Sequence, residues 1–278
     1  MTNKDLTVVI ATFNSETEIE NCLESINHDY KVIIVENSNN INFKHKVEKK
    51  FSNVECFLAG ENLGYGKANN LGLEKVKTKY SLILNPDTKL AKNTLDNFLI
   101  SSAKNNNFAI MAPFNGQSFS EKFNNEELVE VNNVKGFAMF LNMEKFSKIG
   151  FFDKNFFLYF EEIDLCRRIK NCNEKIFLNP TIEITHYGGK SVNQLHSYKI
   201  ELTRNWHWMW STFYYHKKYN GFFIALIKVS PKLFSAIFKS LFYSIFLNRE
   251  KREIYFHRLS GLVNSILGKN SWQRPTLD

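Results

Sequence analysis

Residues 6–26 read LTVVIATFNSETEIENCLESI, and this stretch decides the fold. Leu6–Ala11 is an apolar, β-branched run that ends in the polar turn Thr12-Phe13-Asn14, as a buried strand does. Ser15 and Glu18 stand three apart as a capping box, so a helix is expected to follow, to about Ile26. The alternation continues outward. Short strands are expected at Val32–Val35, Val54–Leu58, Tyr80–Leu84, Phe108–Ala112 and Phe137–Leu141, and shorter ones at 175–178 and 181–185. Helices are expected at 42–50, 65–76, 92–103 and from Phe160 to Lys170. Residues 114–134 are polar and rich in Asn and Glu, the composition of a mobile loop. Strands alternating with helices at this spacing give βαβ units: an α/β fold with a mostly parallel, Rossmann-like sheet flanked by helices. Ligands of such sheets bind beyond the carboxyl ends of the strands. The polar residues found there are Thr12 and Asn14, Glu36-Asn37-Ser38, Glu61-Asn62, and Asn85-Pro86-Asp87.

The chain has 278 residues and a formal net charge of +8, a length that fits one catalytic domain plus an appendage. The charge is uneven. Residues 1–200 hold 24 basic and 24 acidic side chains, whereas residues 201–278 hold 12 and 4. The whole excess lies in the C-terminal region, which points to an anionic surface as its partner. Cys22, Cys56, Cys166 and Cys172 form no CxxC pair. They read as buried small hydrophobes in a reducing compartment, not as zinc ligands. The opening MTNKDLTVVIATFN does not read as a secretory signal, because its apolar run is short, β-branched and enters a polar loop. No uncharged stretch reaches the ~18–20 residues that span a bilayer. These features are expected of a cytoplasmic protein, or of one held peripherally on the inner face of the cytoplasmic membrane.

Four stretches suggest chemistry, and each has a plainer explanation. Asn85-Pro86-Asp87 follows a strand. An aspartate there can hold a hard divalent cation while a diphosphate supplies further oxygens, or the residues simply form a turn. Glu161-Glu162-Ile163-Asp164 packs three carboxylates together. A carboxylate suits removal of a proton from an acceptor hydroxyl, and acids also gather at helix N-termini because the dipole favours them. The preceding run FFLYF, 156–160, would desolvate these acids and raise a pKa. NLGYGKANNLG, 62–72, places three glycines at a strand-to-helix junction, where a backbone can approach a nucleotide and helix amides can meet phosphate. It lacks the dinucleotide pattern GxGxxG, which disfavours a dehydrogenase. His186 is either a metal ligand or a structural histidine.

These pieces recur in one order: TVVIATFN (7–14), VEN (35–37), NLGYGKANNLGL (62–73), LNPD (84–87), KGFAMFLN (135–142), FFLYFEEIDLCRR (156–168), THYGGKS (185–191) and RN (204–205). In that order and spacing the chain resembles glycosyltransferase family 2, with the GT-A fold. Within the family it looks most like the rhamnosyltransferase-type members that build bacterial cell-surface polysaccharides. The resemblance implies an inverting transfer of a sugar, first of all rhamnose, from a nucleotide-diphosphate donor to a hydroxyl of a glycan or lipid-linked glycan. It places the nucleotide against Thr12, Phe13 and Asn14. Glu36 stands where the family commonly has an Asp that contacts base or ribose. Asn62, Gly64 and Asn69 match the motif that lines the nucleoside pocket. Asp87 matches the last acid of the family's DxD motif, with Asn85 in place of the first. One carboxylate suffices if diphosphate, water and His186 fill the other positions of a magnesium or manganese ion. Glu162 takes the place of the Asp that serves the family as base, and Asp164 and Glu161 are its stand-ins. The departures at Asn85 and Glu162 keep open a catalytically silent nucleotide-sugar-binding protein. A sugar nucleotidyltransferase would want a glycine- and basic-rich loop after the first strand, where this chain has the acidic TFNSETE.

The resemblance covers about residues 6–205, and it divides the chain into a catalytic domain at 1–195 and a basic, aromatic, helical appendage at 196–278. Within the appendage, Lys228, Lys232 and Lys239 fall within roughly 40° of one another on a helical wheel. Phe234, Phe238, Phe242 and Phe246 line up at i+4 spacing. Pro231 is expected to start a new helix. A basic stripe on an apolar helix suits an anionic membrane interface, and the alternative is packing on the catalytic domain or on a second subunit. The charges stand among bulky aliphatics, which argues against nucleic acid.

Overall fold

The computed structural model describes residues 5–114, 128–188 and 197–275. Most of the polar loop expected at 114–134, the GKS end (189–191) of the THYGGKS motif and the expected boundary near 195 lie outside the described residues. The chain forms two compact units, one from Met1–Phe152 with Glu162–Asn193 and one from Asp153–Glu161 with Gln194–Asp278.

The first unit is built on β1 (Leu6–Thr12), β2 (Lys31–Glu36), β3 (Val54–Leu58), β4 (Tyr80–Leu84), β5 (Thr88–Leu90), β6 (Ile110–Phe114), β7 (Val129–Glu130), β8 (Ala138–Asn142) and β9 (Ile176–His186). They form one sheet in the order β3-β2-β1-β4-β8-β6-β9-β5, with β7 on β9. The β3-β2-β1-β4 half is parallel. β8 runs antiparallel to both β4 and β6, so the sheet is mixed on that side. Alternation along the strands sorts the core. Val8, Ile10, Val32, Ile34, Leu82 and Leu84 point to one face. There they meet Ile19 and Leu23 of α1 (Glu18–Glu24), Phe43 and Val47 of α2 (Ile41–Lys50), and Phe98 and Leu99 of α4 (Thr94–Lys104). Val9, Ile33 and Ile83 point the other way. They meet Leu73 of α3 (Gly64–Leu73), Phe146 of α5 (Met143–Ile149) and Leu165 and Ile169 of α6 (Glu161–Asn171). This period-two division is why β-branched runs form these strands.

Several expectations are corrected. The strands expected at 175–178 and 181–185 are one strand, β9, bent where Asn179 Oδ1 accepts from the Thr181 amide at 3.0 Å and its hydroxyl at 2.8 Å. β5, α5 and β7 were not anticipated; β7 falls within the stretch read as a loop and becomes a strand by pairing Val129 with Leu178 and Glu130 with Phe177 of β9. α1 starts at Glu18, because Ser15 exchanges hydrogen bonds with the Phe13 backbone (3.2 and 3.1 Å) and tightens the preceding turn. Gly72 lies where α3 crosses the sheet. A Cβ there would stand 2.5 Å from Val9 Cγ1. Gly72→Ala is therefore expected to cost about 1–3 kcal/mol through overpacking, read as a lowered urea midpoint with unchanged m-value.

The second unit stacks α7 (Ser197–Asn220), α8 (Phe222–Ile245) and α9 (Arg249–Ile266). Met209, Phe213, Ala225, Val229 and Leu262 form its core. α7 and α9 approach so closely that any Cβ on Gly261 would overlap the Trp206 carbonyl. Pro231 sits inside α8 rather than starting a helix. Its ring cannot donate to the Ile227 carbonyl four residues back, and the Ser230 hydroxyl donates to that oxygen instead, at 2.8 Å. Segment 153–161 packs on α7: Phe157 stacks on His207 (4.4 Å), Phe156 meets Tyr214 edge-on (4.9 Å), and Ser211 Oγ donates to the Leu158 carbonyl (2.9 Å).

Candidate active site

Register brings the first group of expected residues to one edge. Thr12 pairs with Glu36, Glu36 with Leu58, and Ile10 with Leu84, so the loops after β1, β2 and β4 leave the sheet together. Glu36 is buried, and its carboxylate is turned on its own loop. It accepts from the Ser38 amide at 2.9 Å, the Asn40 amide at 2.7 Å and the Ser38 hydroxyl. That hydroxyl accepts in turn from the Asn14 amide at 2.9 Å, and Asn14 adopts a left-handed φ of 48°. The Asn37 amide donates to the Thr12 carbonyl at 2.9 Å, while its side chain accepts from the Leu63 amide at 3.2 Å. One buried acid thus holds the β2 loop and, through Ser38, the β1 loop. Phe13 and Asn14 are partly exposed there and Thr12 is buried.

The glycine-rich stretch opens α3. Asn62 Oδ1 accepts from the Gly64 amide at 3.1 Å, and Gly64 has φ 76°, a conformation that favours glycine. Asn69 is fully buried; its amide donates to the Tyr65 carbonyl at 3.0 Å, and its Oδ1 has no hydrogen-bond partner. Asn70, which sequence reasoning passed over, grips the Phe152 backbone twice, donating at 2.9 Å and accepting at 3.0 Å. Gly136 was also missed. Tyr65 donates its hydroxyl to the Gly136 carbonyl, and a Cβ on Gly136 would lie 3.7 Å from Glu162 Cβ. The signal was visible as KGFAMFLN but carried no chemistry of its own.

The three acids of α6 separate sharply. Asp164 is buried and bound by Arg168 Nε at 2.9 Å, the i,i+4 partner. Arg168 also donates to the carbonyls of Ile149 (2.8 Å), Gly150 (3.1 Å) and Phe151. Asp164 therefore anchors a turn clamp. Asp164→Ala is expected to cost about 3 kcal/mol by stranding that guanidinium, measurable as a loss in denaturant midpoint. Glu162 differs. Burial raises its carboxyl pKa above the ordinary value, against a smaller lowering by its own amide and that of Ile163 at the helix N-terminus. Glu161 is buried and is the first residue of the helix. Tyr159 and Phe160, just before it, have φ 69° and 71°. Two consecutive bulky residues in the left-handed region cost roughly 1–3 kcal/mol each. Their rings are fixed on Trp208 (5.3 and 5.6 Å), and Phe160 also lies 5.3 Å from Tyr215.

Asp87 presents a different signature. It is 2% exposed, and neither carboxylate oxygen has a hydrogen-bond donor. His186 Nε2 lies 3.3 Å from Oδ1. The two meet because β5 pairs with β9, Thr88 opposite His186, and because the Tyr187 amide donates to the Asp87 carbonyl at 3.1 Å. The imidazole is stacked on Phe137 at 4.7 Å. Asn85 is partly exposed and uses its backbone: its amide donates to the Phe137 carbonyl at 2.8 Å and its carbonyl accepts from Thr88 Oγ1 at 2.7 Å. A buried carboxylate without donors beside an imidazole nitrogen fits a divalent cation. Among the described residues no third His, Cys, Asp or Glu joins them.

The family model described as glycosyl transferase family 2 matches residues 7–167. The low-salt glycan biosynthesis hexosyltransferase Agl10 of Haloferax volcanii is 24% identical over 208 residues, covering 66% of this chain and 67% of its own length. The rhamnosyltransferase WbbL of Escherichia coli K12 is 23% identical over 219 residues, covering 65% and 82%. Among solved structures, the mannosyltransferase PcManGT of Pyrobaculum calidifontis, in complex with GDP-Man and Mn2+, superposes with a TM-score of 0.60 at 13% identity, covering 95% of this chain and 88% of that one. That likeness is one of fold, and the fold is GT-A.

Proposed function

The chain belongs to glycosyl transferase family 2, and we propose that it transfers a hexosyl residue from a nucleoside diphosphate to a carbohydrate hydroxyl with inversion at the anomeric carbon. Rhamnose from dTDP-rhamnose is the first donor to consider, on the similarity to WbbL, and UDP-sugars follow. The acceptor is a glycan or lipid-linked glycan of cell-surface polysaccharide synthesis at the inner face of the cytoplasmic membrane. The observation that carries the reading is the buried, donor-free carboxylate of Asp87 beside His186. Asp87 and His186 would hold a divalent cation, with diphosphate oxygens and water completing its shell. Mg2+ suits the carboxylate, and the imidazole makes Mn2+ at least as suitable. When bound, the cation offsets the charge that grows on the leaving diphosphate.

The chain's own residues do the rest. Phe13, Asn14 and the loop held by Glu36 receive the nucleoside, so Glu36 acts by shaping that loop. Asn62, Gly64 and Asn69 complete the pocket, and the unmatched Oδ1 of Asn69 is free to accept from a ligand. Glu162 takes the proton of the acceptor hydroxyl. That oxygen bonds to the anomeric carbon as the bond from carbon to phosphate oxygen breaks, and the nucleoside diphosphate leaves with the electron pair. No covalent sugar–enzyme intermediate is needed.

A donor screen tests this. Purified protein with Mg2+ or Mn2+ is offered dTDP-, UDP- and GDP-sugars, and nucleoside diphosphate release is read with and without EDTA. Release from one donor, abolished by EDTA, supports the reading. Tight donor binding without release in the presence of a membrane extract as acceptor source overturns it in favour of a silent binder.

A further inference from the structure

α8 carries two apolar faces. At about 100° per residue, its buried Ala225, Val229 and Ala236 fall within roughly 40° of one another and face the core shared with α7 and α9. Phe223, Ile227, Phe234, Phe238, Leu241 and Ile245 fall within roughly 60° of one another, almost diametrically opposite. These six large side chains are 62–78% exposed. Phe246 and Leu247 extend the surface at the turn into α9, at 66% and 89% exposure. Scattered exposed hydrophobics need no explanation, but a contiguous stripe along a whole helix marks a docking surface.

The charge pattern says what docks there. α8 contains no acidic residue. Lys228, Lys232 and Lys239 lie together between the buried face and the exposed stripe, on one flank, with Lys228 exposed, Lys232 over the Trp208 ring (5.7 Å) and Lys239 donating to the Tyr255 hydroxyl (3.3 Å). Arg249, Lys251 and Arg252 are exposed just beyond its C-terminal end. A second copy of the chain would set a region of 12 basic and 4 acidic residues against its like. An anionic lipid surface matches both features, with acyl chains for the stripe and headgroup phosphates for the lysines. No described helix is long and apolar enough to cross a membrane, so the fitting arrangement is a helix lying in the interface.

We propose that the outward face of α8 inserts into the headgroup–acyl boundary of an anionic membrane, with Phe223, Ile227, Phe234, Phe238, Leu241 and Ile245 as the inserting side chains and the lysine flank on headgroup phosphates. The proposal deepens the membrane placement given above and is independent of the donor chemistry.

The test uses the full chain in vesicle co-sedimentation. Vesicles of phosphatidylcholine alone are compared with vesicles in which about 30% is phosphatidylglycerol, at low and high salt. Wild type is expected to bind the anionic vesicles and to release with salt. The double variant F234E/F238E is expected to bind at least about tenfold more weakly, because both side chains are lost from the acyl region. K228E/R252E, two exposed positions, is expected to lose the preference for anionic lipid. Both pairs lie outside the core, so thermal melts are expected to match wild type, and nucleoside diphosphate release on a soluble acceptor is expected to persist. Binding indifferent to both variants overturns the proposal. So does a concentration-dependent dimer, seen by sedimentation velocity and dissolved by F234E/F238E, in a protein that ignores vesicles. Lipid binding that follows the variants in a protein with no donor turnover overturns the transferase reading and leaves this one standing.

Discussion

Glu162→Gln is expected to lower kcat by about a thousandfold, the usual scale for removing a general base, with donor affinity changed by less than about threefold. Gln keeps the shape and the polar contacts of the side chain and removes only the ability to take a proton. The wild-type pH profile carries a second signature. Burial raises the Glu162 pKa above its ordinary 4.5, so the acid limb of kcat/KM lies at higher pH than an exposed glutamate would give. The sign for stability follows. A carboxyl whose pKa is higher in the folded state binds its proton more tightly there. Its favourable contribution is full below the unfolded value and is lost as pH rises through the folded value. At neutral pH, above the unfolded value, wild type therefore carries the cost of its raised pKa, which the uncharged variant lacks. Glu162→Gln should melt at a higher temperature than wild type near pH 7, and the difference should vanish near pH 4. A variant that is inactive and also less stable at pH 7 would mark Glu162 as a structural cap, and the base would have to be sought at Glu161. Asp164 is poorly placed to replace either, since Arg168 holds it.

The contrast among these acids shows where a sequence stops informing. β1 and β2 were legible because nearly every residue in them is buried, and such strands read as β-branched runs, while β4 reads as a short buried run and β3 as a short run broken by the exposed Glu55. β5 was not, since three residues become a strand only by pairing with β9, about a hundred positions later. α5 buries only Phe146 and leaves almost no periodic pattern. Pro231 followed the local rule on paper, yet the flanking turns of α8 pack well enough to carry it, with Ser230 serving the carbonyl it leaves. The site divides in the same way. Asp87 and His186 each had a metal reading and a plain one, and only long-range pairing brings them together. Glu36 was read as a ligand contact, and nothing in the sequence signalled that its carboxylate also accepts from backbone amides two and four residues ahead. Asp164 and Arg168 stood at i,i+4 in plain view. The further hold of Arg168 on three carbonyls at 149–151 belongs to the fold.

Asp87→Asn is expected to reduce turnover at least about a hundredfold, on the scale of removing one preorganised electrostatic partner of a developing anion. It is also expected to raise the stability of the protein in EDTA. In wild type, both carboxylate oxygens are buried without a donor, and an unsatisfied buried polar group costs about 1–3 kcal/mol, more when charged. The amide of Asn brings no charge. A cation with a nucleoside diphosphate should reverse the order. Wild type with Mn2+ and UDP or dTDP at a hundred times the dissociation constant gains about 2.7 kcal/mol, and the variant gains little. His186→Ala should fall between the two, because the carboxylate remains. The melting temperatures in EDTA and in Mn2+ with diphosphate decide the matter without any acceptor. If Asp87→Asn is the less stable protein in EDTA and still gains fully from Mn2+, then Asp87 is a turn residue and the cation lies elsewhere. If the order inverts as expected, the cost of a buried carboxylate with no hydrogen-bond donor, and only the His186 imidazole beside it, is what holds the site ready. Selection has then kept a group that weakens the empty fold, because the donor complex gains more from it than the fold loses.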